Sequence, residues 1–146
     1  MRRLRRIIVA TTLAAVASGA AACGGSSSTS NIAAPTGTVV TETFTGTVQQ
    51  SATNVHSFMV TTPGSISITL TSAGPPPTIT MGLGIGNPDA SGNCIFLSGG
   101  TTQAIANTTT PQLSGNLTSS GAYCVAIGDI GNAAGPITYT IAVSHT

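Results

Sequence analysis

The chain reads as an all-β protein, an antiparallel β-sandwich or jelly roll of about seven to eight strands. Three observations carry that reading. Apolar residues recur at every second position, turn residues punctuate the chain at short intervals, and no stretch sustains a helical period. The sandwich is expected over residues 38–146, and about 110 residues suffice for one modest core.

From Thr38 onward the period is two. Phe58 and Val60 alternate with Ser57 and Met59, and Ile66, Ile68 and Leu70 with Ser67, Thr69 and Thr71. Ile79, Met81, Leu83 and Ile85 alternate with Thr and Gly. Ile137, Tyr139, Ile141 and Val143 alternate with Thr138, Thr140, Ala142 and Ser144. Such alternation puts one face in a core and the other in water, as in antiparallel sheets. Thr on the outer positions suits strands because its branched Cβ favours extended backbone. Ile68, Leu70, Val125, Ile127, Tyr139 and Ile141 are therefore expected in the core. Between the runs lie Pro63-Gly64, Gly74-Pro75-Pro76-Pro77, Asn87-Pro88-Asp89, Ser91-Gly92-Asn93, Gly99-Gly100, Ser119-Ser120-Gly121 and Gly131-Asn132, all turn chemistry. The core is mainly aliphatic, since the aromatics are only Phe44, Phe58, Phe96, Tyr123 and Tyr139.

Residues 1–22 are organised differently. Arg2, Arg3, Arg5 and Arg6 precede an apolar run from Ile7 to about Val16, and small residues lead up to Cys23. This is the layout of a secretory signal peptide, too short for a comfortable membrane span. Ala20-Ala21-Ala22-Cys23 resembles the bacterial lipobox, with Ala20 where Leu is usual. The resemblance implies cleavage before Cys23 and acylation of its sulfur; ordinary signal cleavage would cut the same bond and leave a free thiol. Cysteine arithmetic supports lipidation. The chain has three cysteines, so modifying Cys23 leaves Cys94 and Cys124 as a pair for an oxidising compartment. Two or three acyl chains anchor stably where one is marginal. Residues 23–37 then form a Gly/Ser/Thr tether, whose flexible part spans on the order of 20 Å. The expected location is the cell envelope, at the outer membrane or cell surface.

Cys94 and Cys124 fall in separate expected strands. In Tyr123-Cys124-Val125-Ala126-Ile127 the large apolar residues share one face, so Cys124 lies on the other. A disulfide here would pin two strands from outside the core and close a loop of about thirty residues, worth roughly 3–4 kcal/mol in the chain-entropy account; the alternative is two separate buried thiols.

Charge excludes several functions. All four basic residues lie within the first six positions. The rest carries three carboxylates, Glu42, Asp89 and Asp129, and no Lys or Arg, a formal charge of −3 with His56 and His145 neutral. A domain without cations cannot neutralise phosphates, so nucleic acid is excluded as a partner. No cofactor is expected. A Ser-His-Asp set has no marked nucleophile: Gly-x-Ser-x-Gly is missing, His145 is next to the last residue, and His56 follows a turn with its imidazole expected in solvent. Glycoside hydrolysis needs two facing carboxylates, which three isolated acids do not promise. Zinc would need His56, His145 and a carboxylate to converge. Asn87, Asp89, Ser91 and Asn93 echo calcium-loop spacing faintly, but calcium wants more carboxylates and these residues are also ordinary turn formers. Asn107-Thr108-Thr109 and Asn116-Leu117-Thr118 match glycosylation sequons as chance matches in a Thr-rich chain.

Three segments together resemble a known family. They are Phe44-Thr45-Gly46-Thr47-Val48 with His56-Ser57-Phe58-Met59-Val60; Gly64-Ser65-Ile66-Ser67-Ile68-Thr69-Leu70; and Leu117 through Ile127, including Gly121-Ala122-Tyr123-Cys124-Val125, closing with Tyr139-Thr140-Ile141-Ala142-Val143. The pattern, over about residues 40–146, resembles the bacterial pre-peptidase C-terminal domain family, β-sandwich modules appended to secreted proteases and other exported proteins. Collagen-binding modules of clostridial collagenases are similar in architecture. The resemblance implies a sandwich with an adhesive or accessory role, here without an attached enzyme. Two functional classes follow: a cell-surface module binding protein or polysaccharide, and an accessory lipoprotein contacting another envelope component. Recognition is expected through the loops Asn87–Asn93 and Asp129–Gly135, taken to share one end of the sandwich.

Overall fold

A computed structural model describes residues 37–146. Cys23, the signal segment and nearly all of the tether lie outside the described residues. Among the described residues there are eight strands and no helix: β1 (Val40–Val48), β2 (Thr53–Val60), β3 (Gly64–Gly74), β4 (Thr80–Pro88), β5 (Cys94–Ile105), β6 (Leu113–Leu117), β7 (Gly121–Asp129) and β8 (Ile137–His145).

The strands form two four-stranded antiparallel sheets, ordered β1-β8-β3-β6 and β2-β7-β4-β5. The pairs β1/β8, β2/β7, β3/β6 and β4/β5 are nested in sequence. A long hairpin rolled on itself gives this nesting, the winding of a jelly roll.

The alternation read from the sequence faces inward as expected. Ile68, Leu70, Val125, Ile127, Tyr139 and Ile141 are all buried, within one cluster that also takes in Val48, Phe58, Met81, Leu83 and Val143. Tyr123 is buried too, and its hydroxyl donates to the Ser119 carbonyl at 3.0 Å, so the ring enters the core without stranding a polar group. Removing a buried aliphatic here costs about 2–5 kcal/mol, the transfer loss plus the cavity left behind.

The winding defines two ends. Val40 pairs with His145, and Gly37 lies beside Thr146 and Thr62. The chain therefore enters the sandwich at the end that also holds the β2–β3 and β4–β5 connections. The β1–β2 turn, the β3–β4 loop and the β7–β8 loop cluster at the opposite end. The expectation that Asn87–Asn93 and Asp129–Gly135 share one end is corrected here. Gly86 pairs with Cys124 and Met81 with Asp129, so antiparallel β4 and β7 carry the two loops away from each other.

Candidate functional site

The β4–β5 connection and the end of β7, where the β7–β8 connection begins, hold two of the three carboxylates, Asp89 and Asp129. Asp89 Oδ1 accepts the backbone N–H of Ser91 and of Asn93, both at 2.8 Å, and its Oδ2 accepts Asn93 Nδ2 at 3.0 Å. These bonds, led by the Asn93 side chain, hold the carboxyl below its ordinary range. Asp89 is thus the centre of an Asx-type turn, with Asn93 folded onto it. Asn87 is turned away from it and donates to the Ala122 carbonyl at 3.2 Å. Among the described residues no three His, Cys, Asp or Glu side chains gather at one point.

Asp129 plays a larger part. Its Oδ2 accepts the Ser51 N–H at 2.8 Å from the β1–β2 turn. Its Oδ1 accepts the N–H groups of Gly131, Asn132 and Ala133 at 3.0–3.1 Å. The Ser51 bond is the foremost cause of a lowered carboxyl pKa. Gln50 Nε2 donates to the Ala133 carbonyl and Asn132 Nδ2 to the Thr80 carbonyl, so three connections are tied together at this end.

Both imidazoles are engaged in the structure. His56 does not face open solvent as the sequence suggests. It points between the sheets at the β1/β2 edge, stacked on Phe44 at 4.9 Å between centroids, with Nε2 2.7 Å from the Tyr139 hydroxyl. Asn54 Nδ2 donates to that same hydroxyl at 3.1 Å, and the imidazole tautomer sets which way the His56–Tyr139 bond runs. Partial burial lowers the His56 pKa. His145 is buried at the end of β8, its Nε2 3.2 Å from Glu42 Oε1 and its ring against Phe58. His56 and His145 belong to different contacts, and no carboxylate faces His56 in either.

The cysteines are disulfide-bonded, with Cα atoms 5.8 Å apart. Cys124 points away from the core, on the outer face of β2-β7-β4-β5, yet is fully buried. The covering is local. In β4 the outward positions are Gly82, Gly84 and Gly86, so β5 can close over that strand. A Cβ at Gly86 would collide with the Ile95 carbonyl, and one at Gly84 would come within 2.5 Å of the Phe96 ring. The β4/β5 register also shifts here: Gly86 faces Phe96 while Gly84 faces Thr101, leaving residues 97–100 as a bulge.

What remains uncovered is a groove of about 210 Å³ on this outer face. Gly82, Gly84, Ala126 and Gly128 form its floor, with Phe96 and Ile130 among its walls. Thr53, Thr101 and Asp129 supply polar margins. Of the residues on this face, Phe96 and Ile130 in the lining, and Met59 and Ile105 beyond it, are exposed by 43–61%. A second hollow of about 120 Å³ opens between the sheets at the β5/β6 edge, lined by Ile66, Ile68, Ile85, Leu97 and Leu113 with glycines.

The opposite outer face differs. On β1-β8-β3-β6 the outward residues are Thr41, Thr43, Thr45 and Thr47, then Thr138, Thr140 and Ser144, then Ser65, Ser67 and Thr69. Thr41 Oγ1 and Ser144 Oγ are hydrogen-bonded at 2.7 Å.

Sequence reasoning placed the disulfide and its face but missed the groove. The available signal was the alternation of glycine with large aliphatics in Met81-Gly82-Leu83-Gly84-Ile85-Gly86. A strand with no outer side chains invites another chain or ligand onto that surface. No protein-family model and no curated protein matches the chain.

Proposed function

We propose that the chain is a lipid-anchored envelope protein, held by Cys23, whose β-sandwich is a non-catalytic binding module for a neutral, partly apolar ligand on protein or polysaccharide. One observation carries the reading: an apolar, glycine-floored groove lies open on a domain otherwise dressed in hydroxyls. Apolar surface left open beside polar groups that can fix an orientation is the kind of surface on which a ligand settles. Phe96 offers a flat face, and Thr53 and Thr101 offer hydroxyls that donate or accept.

The titratable groups support a binding role over a catalytic one. Asp89 and Asp129 are spent on turn N–H groups, Glu42 is paired with His145, and His56 is held by Phe44 and Tyr139. None is left poised beside a nucleophile. The resemblance of its strand segments to pre-peptidase C-terminal modules is in keeping with the same reading.

A neutral ligand is not steered by charge, even with Asp129 at the groove's margin, so single copies bind weakly and independently of salt, while many copies on one membrane bind through avidity. The test compares the full chain on vesicles with the same chain dispersed in detergent, against immobilised fibrillar collagen and neutral glycans. Binding that strengthens on vesicles and ignores salt is the expected result. Strong salt dependence, or turnover of any peptide or glycoside, would overturn it.

A further inference from the structure

Of the four strands that end a sheet, three are blunted or asymmetric. β6 is only five residues long, β5 carries the bulge at 97–100, and β2 reads Thr-Asn-Val-His-Ser-Phe-Met-Val, which matches nothing when reversed. β1 is the exception. It pairs with β8 through nine consecutive residues with no register shift. Among the described residues, no strand pairs with its other side. It contains no proline, no cation and no bulge, three of the devices that keep a free edge from recruiting another strand, and its single charge, Glu42, is turned inward onto His145.

Its sequence is Val-Thr-Glu-Thr-Phe-Thr-Gly-Thr-Val, a near palindrome about Phe44. An antiparallel copy centred on Phe44 sets Val40 against Val48, Thr41 against Thr47, Thr43 against Thr45 and Phe44 against itself. The one mismatch places Glu42 opposite Gly46, which keeps the two carboxylates out of register with each other. A two-fold axis through this centre preserves faces, so the Thr residues of both copies lie on one outer surface. Cross-strand pairs of Thr with Thr and of aromatic with aromatic are favourable, and the backbone groups of both edges gain partners. Val40 is 45% exposed and Phe44 only half-buried, so apolar surface is available to be covered.

We propose that β1 is a homodimerisation edge, joining two copies of this chain in the Phe44-centred antiparallel register into one continuous eight-stranded sheet. The proposal does not depend on the groove or its ligand.

Register is tested by mixing two single variants of the full chain, Thr43→Cys and Thr45→Cys, displayed on the same cells and treated with a short thiol cross-linker. Cross-linked dimer is expected from the mixture and little from either variant alone. Affinity is tested by sedimentation equilibrium of the full chain in density-matched detergent. The double variant Thr43→Lys/Thr45→Lys puts like charges face to face and should raise the dimer dissociation constant at least about tenfold. Thr43→Gln/Thr45→Gln, larger than Thr but neutral, should leave it unchanged. A chain that stays monomeric at every concentration would overturn the proposal. So would a dimer indifferent to the Lys pair, cross-linking equal in all three samples, or an edge found occupied by a different protein.

Discussion

The two outer faces of this sandwich obey the same alternation and end up chemically opposite. On β1-β8-β3-β6 every second residue is Thr or Ser with few exceptions, so the sheet meets water through hydroxyls. On β2-β7-β4-β5 the same positions hold Gly82, Gly84, Gly86, Ala126, the disulfide and the exposed Met59, Phe96 and Ile130. A hydroxyl face needs no partner, because water satisfies it. An apolar face with part of its backbone bare gains by being covered, and β5 already covers some of it. The contrast teaches that the period of a sequence fixes which side is inside, while the residues chosen for the outside decide where the molecule can be bound.

Stability measurements put that contrast to the test. The largest effect is expected from the layer both faces share: Leu70→Ala or Ile127→Ala should cost about 2–5 kcal/mol in chemical denaturation. If either cost less than a surface substitution, the two-sheet core would be misassigned. Reduction of Cys94–Cys124 comes next, at roughly 3 kcal/mol in the chain-entropy account and often less in practice. It should lower the melting temperature, and it should loosen the outer face of β4 and β7 in hydrogen exchange before the Thr face. Two titratable thiols in the native, unreduced chain would contradict the arrangement.

Acid should separate the imidazole from the carboxylates. Burial lowers the His56 pKa from 6.5, so its contribution is fully present above pH 6.5 and is lost as pH falls through the folded value. Asp89 and Asp129 are lowered from 3.8, so theirs is present above pH 3.8 and is lost only in stronger acid. His56→Gln should flatten the first stage of the acid-stability profile and leave the second. A profile unchanged by that substitution would show that His56 is not held as described. The smallest effect is expected from the Thr face itself: Thr140→Ala should change stability by no more than about 0.5 kcal/mol.

Much of the fold was legible because alternation and turn chemistry are local. Ile66-Ser67-Ile68-Thr69-Leu70 declares its inner face without knowledge of its neighbours, and Cys124 could be placed outside the core from Tyr123, Val125 and Ile127 alone. What stayed hidden depends on strand order. The loops around Asp89 and Asp129 look alike in sequence, and only the antiparallel pairing of β4 with β7 sends them to opposite ends. His56 follows a turn and looked solvent-facing; its half-burial comes from Phe44 and Tyr139, contributed by two other strands. The groove needed both the glycines of β4 and the path of β5 across them, and no single segment holds that information.

The central claim is that recognition belongs to the apolar outer face and not to the hydroxyl one. The most direct test compares cells displaying the full chain, its Phe96→Ala variant and its Thr140→Ala variant for binding to immobilised fibrillar collagen and to immobilised neutral glycans. Both side chains are outward, so neither change should disturb the core. The account predicts binding to at least one of these surfaces, weakened about tenfold or more by Phe96→Ala, a loss of roughly 1.4 kcal/mol, and unaltered by Thr140→Ala. Loss with Thr140→Ala while Phe96→Ala binds normally would contradict it, as would no binding to any of these surfaces.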